Sequence, residues 1–120
     1  MTQLDYLIFD ATDEEGGACS FDAVASVVPS RLPPLIREIE DVLGWATRQF
    51  GPPLADIEGE WDFALQALAD PDVPLEIAYD VQRGRVVLPQ APAGRVTLAL
   101  TVTGTAAFGD AFRQAFPDLD

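Results

Sequence analysis

At 120 residues, 48% of them hydrophobic, the chain has the size of one domain and enough apolar material for one packed core, so neither a disordered chain nor a second domain is expected. Its formal charge of −13 repels nucleic acid and anionic lipid over most of the surface. His is absent and all seven basic residues are Arg, which keeps its proton near neutral pH; this excludes Ser-His, Cys-His, Ser-Lys and Schiff-base catalysis within one chain.

In chain order, Leu4 to Asp10 is rich in Tyr, Leu, Ile and Phe and reads as a first strand. Asp13-Glu14-Glu15-Gly16-Gly17 follows as a reversal, its paired glycines supplying positive φ. From Ala18 to Val27 the chain alternates, with Cys19, Phe21, Ala23, Ala25 and Val27 on one side and Ser20, Asp22 and Ser26 on the other. These two runs predict a β-hairpin.

Pro29-Ser30 then opens a helix whose Leu32, Leu35, Ile36, Ile39, Val42, Leu43, Ala46 and Phe50 share one apolar face. Pro33 and Pro34 fit only its first turn, and Gly51-Pro52-Pro53 ends it. Beyond it, Glu60 to Leu68 alternates with Trp61, Phe63, Leu65 and Ala67 on one side, and Asp70-Pro71-Asp72 turns the chain. Leu75, Ile77, Tyr79 and Val81 alternate with Glu76, Ala78 and Asp80 in a further strand, and Arg83-Gly84 reverses into a short strand, Arg85 to Leu88. The clearest strand sets Val96, Leu98, Leu100 and Val102 against Thr97, Thr101 and Thr103. Thr105 caps a last helix carrying Phe108, Ala111, Phe112, Ala115 and Phe116.

Strands joined by turns, with only two helices, predict a single α+β domain over residues 1–120. Its expected form is an antiparallel sheet of five to six strands, in the order ββα-βββ(β)-α, with two helices packed on one sheet face.

The acids are distributed unevenly. Residues 1 to 80 hold 17 acids against Arg31, Arg37 and Arg48, and residues 49 to 82 carry eight acids and no base. Asp56, Glu58, Glu60 and Asp62 occupy every second position, so in an extended chain their carboxylates line one side. If the strand of Glu60 and Asp62 pairs with that of Glu76 and Asp80, all four carboxylates share the uncovered sheet face. Functionally the run from Asp56 to Asp62 is a magnesium site or a docking ladder for a basic partner, and otherwise a solvated sheet face; the shared face of the four is where a basic partner is expected to dock. Trp45 falls about 120° from the centre of the apolar helical stripe, between Glu38 and Asp41. An aromatic there is either packed under a neighbouring loop or an interface anchor. The candidate partner-binding residues are therefore Trp45, Glu58, Glu60, Asp62, Glu76 and Asp80.

Other features carry less. The loop from Asp10 to Gly16 is rich in oxygen ligands, yet Glu15 and Phe21 stand where an EF-hand requires Gly and Glu, so it reads as a solvated turn. The lone Cys19 permits no internal disulfide or thiolate metal cluster, and its alternation with Phe21 places it in the core. No glycine spacing matches a phosphate-binding loop.

Two function classes follow. The leading expectation is a small acidic interaction protein that binds or neutralises a basic protein, of the immunity, inhibitor or mimic type, and is not an enzyme. The alternative is a small carboxylate-based, metal-dependent enzyme. No catalytic or metal-binding residue and no cofactor is assigned, and neither nucleic acid nor membrane is an expected partner. The N-terminus has no basic segment followed by an apolar one, and no run of eighteen apolar residues occurs, so a cytoplasmic monomer or weak homodimer is expected.

Overall fold

The alternation of Val96, Leu98, Leu100 and Val102 against threonines belongs to the central strand of a sheet, because that strand is bonded on both sides. In the computed structural model, which describes residues 4–51, 53, 61–70, 72–90 and 92–116, the strands are β1 (Asp10–Asp13), β2 (Cys19–Val27), β3 (Trp61–Ala69), β4 (Val73–Leu75), β5 (Ala78–Asp80), β6 (Arg85–Val87) and β7 (Val96–Gly104). Five of them form an antiparallel sheet in the order β1-β2-β7-β3-β4, and β5 and β6 form a separate two-stranded one. The helices are α1 (Leu32–Phe50), preceded by a 3-10 turn at Pro29–Arg31, and α2 (Ala106–Ala115). This is the expected α+β architecture with both helices on one face.

Register explains which face they cover. Phe21 lies opposite Val102, Ala23 opposite Leu100 and Ala25 opposite Leu98, so the apolar rows of β2 and β7 stand side by side and are buried. Under α2, Phe112 stacks on Phe21 at 4.2 Å between ring centroids and meets Phe9 edge-on at 5.1 Å. Gly109 allows this close approach, since a Cβ there would stand 2.4 Å from Cys19 Sγ. Burying each such Val, Leu or Phe is worth roughly 1.5 to 3 kcal/mol. Among the described residues no helix is long and apolar enough to cross a membrane.

The expected turns are present. Gly16 and Gly17 adopt φ of 87° and 92° between β1 and β2, and Thr105 Oγ1 accepts the amide of Phe108 at 3.3 Å to cap α2. Two strand expectations need correction. Pairing in the first hairpin begins at Asp10, not Leu4, because the amides of Asp5, Tyr6 and Leu7 donate to the Glu38 carboxylate at 2.6 to 3.1 Å instead of to a neighbouring strand. The run from Leu75 to Val81 breaks after Leu75: Val73–Leu75 pairs with β3, whereas Ala78–Asp80 leaves the sheet and pairs with β6. Glu40 Oε2 holds that hairpin to α1 by accepting the amide of Val86 at 2.9 Å.

Candidate functional site

The helices cover one face of the five-stranded sheet, and none of the described helices or loops covers the other. Alternation dictates its residues: where Phe21, Val102 and Trp61 point into the core, their chain neighbours Asp22, Thr101, Thr103 and Asp62 point away from it. Cross-strand pairing arranges them in rows. Thr12, Ser20, Thr103 and Asp62 form the first, and Asp10, Asp22, Thr101 and Ala64 the second. Val24, Ala99 and Gln66 form the third, and Ser26, Thr97, Leu68 and Pro74 the fourth.

The first two rows are acidic and hydroxyl-bearing. Asp10 and Asp22 stand directly across β1 and β2 from each other, an arrangement that like charges disfavour by some tenths of a kcal/mol. Thr101 Oγ1 donates to Asp22 Oδ1 at 2.6 Å, and Asp62 Oδ1 accepts the amide of Phe63 at 2.8 Å. These bonds orient the carboxylates without neutralising them. The five strands carry Asp10, Asp13, Asp22 and Asp62 and not one Arg. Asp13 alone among these turns toward the helices, where Arg113 Nη2 meets its Oδ1 at 2.7 Å. That guanidinium holds the Asp13 carboxyl below the usual aspartate range. Arg95, just before β7, bonds the Ser26 carbonyl at 3.1 Å. It precedes Thr101 by six residues, roughly 20 Å of strand, which is more than twice the ~8 Å screening length at physiological salt.

The residues singled out from the sequence are scattered. Asp62 lies on the open face as expected, but Glu58 and Glu60 lie outside the described residues, as does Asp56. Asp80 belongs to the β5-β6 hairpin, which packs on the helix side through the edge-to-face contact of Tyr79 with Phe63 at 5.9 Å. It accepts the Arg83 amide at 3.2 Å and pairs with its guanidinium at 3.7 Å. Glu76 lies in the link between the sheet and the hairpin, with its amide bonded to Gln90 Oε1 at 3.1 Å. Asp62 and Asp80 thus lie in different layers, because their strands do not pair. Trp45 is partly buried, and its ring lies 5.4 to 6.1 Å from those of Phe50, Phe108, Phe112 and Phe116. A helix, not a loop, covers it: α2 packs against the side of α1 that the apolar stripe omits.

Sequence reasoning missed Asp10 and Asp22 as surface partners of Asp62. The alternation of residues 18 to 27 already set Asp22 opposite Phe21; lacking was the knowledge that β7 brings β2 and β3 together. It also missed Glu38, a carboxylate only 8% exposed that three backbone amides satisfy. The ligand-rich run at Asp10 is mainly strand, so its side chains diverge to both faces. Among the described residues no three His, Cys, Asp or Glu side chains are grouped to hold a metal ion. Cys19 is buried, and burial together with the Asp13 carboxylate pushes its thiol pKa up, as suits a packing residue. No family model, curated protein or solved structure matches this chain.

Proposed function

We propose that this chain is an acidic interaction protein that binds a basic protein partner through the open face of its five-stranded sheet. The observation that carries this reading is charge segregation: Asp10, Asp22 and Asp62 share one end of that face, and no Arg lies in any of the five strands. The basic side chains instead belong to the helices, the β5-β6 hairpin and the chain just before β7. Selection for stability alone mixes charge signs on a surface and avoids like charges directly across strands. A cationic partner relieves the Asp10-Asp22 repulsion, and the chain's long-range field accelerates its approach.

The test is kinetic. With a partner captured from the native cell, association is timed at two ionic strengths for the parent and for an Asp10→Asn, Asp22→Asn, Asp62→Asn variant. At low salt the parent should associate at least about tenfold faster than the variant, and the gap should shrink as salt rises. A rate indifferent to both salt and these substitutions refutes the reading.

A further inference from the structure

The acids occupy only half of the open face. Beyond them the rows lose charge, and an apolar stripe runs diagonally across four strands: Val24 on β2, Ala99 beside it on β7, then Leu68 and Pro74 paired across β3 and β4. Val24 is 67% exposed and Leu68 37%. On β2 and β7 the alternate positions bury Ala23, Val27, Leu98 and Leu100, and Val24, Leu68 and Pro74 depart from a face that otherwise carries Ser, Thr, Asp, Gln and Ala. At Leu68 and Pro74 the stripe borders a concavity of about 470 Å³ along the β3-β4 edge, whose walls also include Gln66 and Glu76 and, from the other face of the two strands, Leu65 and Leu75. Such a recess accepts an aliphatic side chain.

Resting on the reading above, we infer that the open face is a two-part docking surface for an extended protein segment with basic and aliphatic side chains in separate halves. Its Lys or Arg side chains lie over Asp10, Asp22 and Asp62, and its Val, Leu or Ile side chains over Val24, Ala99 and Leu68. Charge complementarity sets the orientation, because reversing the segment places its cations on the stripe and leaves desolvated aspartates unpaired. A second copy of this chain fits poorly. Stacked in the same sense it sets aspartate on aspartate, and turned end for end it lays aspartates on the aliphatic stripe. Nucleic acid and anionic membrane are repelled by the same carboxylates.

The experiment titrates the isotopically labelled full chain with three synthetic peptides and follows backbone amide shifts. The first peptide alternates Thr with Arg in one half and with Val in the other; the second replaces Val by Ser, and the third replaces Arg by Ser. The first should bind at least about tenfold tighter than either control, with shifts centred on Asp22, Val24, Leu68, Ala99 and Thr101. A Val24→Ser, Leu68→Ser variant should lower its affinity to that of the second peptide. Equal binding of the first two peptides, or indifference to that variant, overturns the two-part surface while leaving the acidic reading intact. Equal binding of the first and third peptides, unaffected by Asp22→Asn and Asp62→Asn, overturns the acidic reading with it. No binding of the first peptide at millimolar concentration, shifts confined to the helix side, or self-association that Val24→Ser abolishes each overturns the inference.

Discussion

Strands β2 and β7 present two faces of opposite character from a single stretch of backbone. On the covered face Phe21, Leu98, Leu100 and Val102 are buried against α1 and α2, and their contribution is stability. On the open face the intervening positions are Asp22, Val24, Thr97, Ala99 and Thr101, which stay exposed or half-buried and whose polar members bond one another or Ser26 across the strands. Side-chain alternation makes the two faces separable, since a substitution at one position acts on one face only. Fold and recognition can therefore be perturbed independently in this protein.

The sharpest contrast comes from neighbouring positions. Leu98→Ala should lower unfolding free energy by about 2 to 5 kcal/mol in urea denaturation, as truncating a fully buried leucine does, whereas Val24→Ser should stay within about 0.5 kcal/mol. Comparable effects at the two sites would erase the distinction between the faces. A smaller effect is expected where the covered side holds a charge. Glu38→Gln keeps one carbonyl oxygen but loses a charged acceptor for the amides of Asp5, Tyr6 and Leu7, so it should cost about 1 to 3 kcal/mol. Hydrogen exchange at those three amides should quicken more than at Val102, and unchanged protection would show that Glu38 does not hold the segment.

The smallest effect belongs to Asp13, the aspartate on the helix side of an edge strand. Arg113 depresses its carboxyl pKa in the folded state, so the folded protein binds a proton there less readily than the unfolded chain. The stabilisation is thus present above the ordinary aspartate range and is lost as pH falls through the depressed value. Because the pair is exposed, the effect is small and weakens with salt. Asp13→Asn should flatten the acid limb of a stability-pH curve slightly, and a steeper limb would contradict the pairing.

Local periodicity determined much of this fold. The alternation of residues 18 to 27 and 96 to 103, the helical stripe from Leu32 to Phe50, the glycines at the first turn and the Thr105 cap each depend on neighbours within a few residues, and each element forms where they indicate. Acidity and the missing His and Lys are likewise properties of composition. Only the tertiary structure decided the partners. A strand's own pattern states which side is apolar, but not which strand lies beside it, and pairing between β2 and β7 joins residues 69 positions apart at Val27 and Val96 and 85 apart at Cys19 and Gly104. For that reason the Leu75 to Val81 run, uniform as a sequence, is divided between two sheets. For that reason too, a tryptophan off the apolar stripe is covered by a helix from the far end of the chain, and Asp10, Asp22 and Asp62, separated along the sequence, share one face.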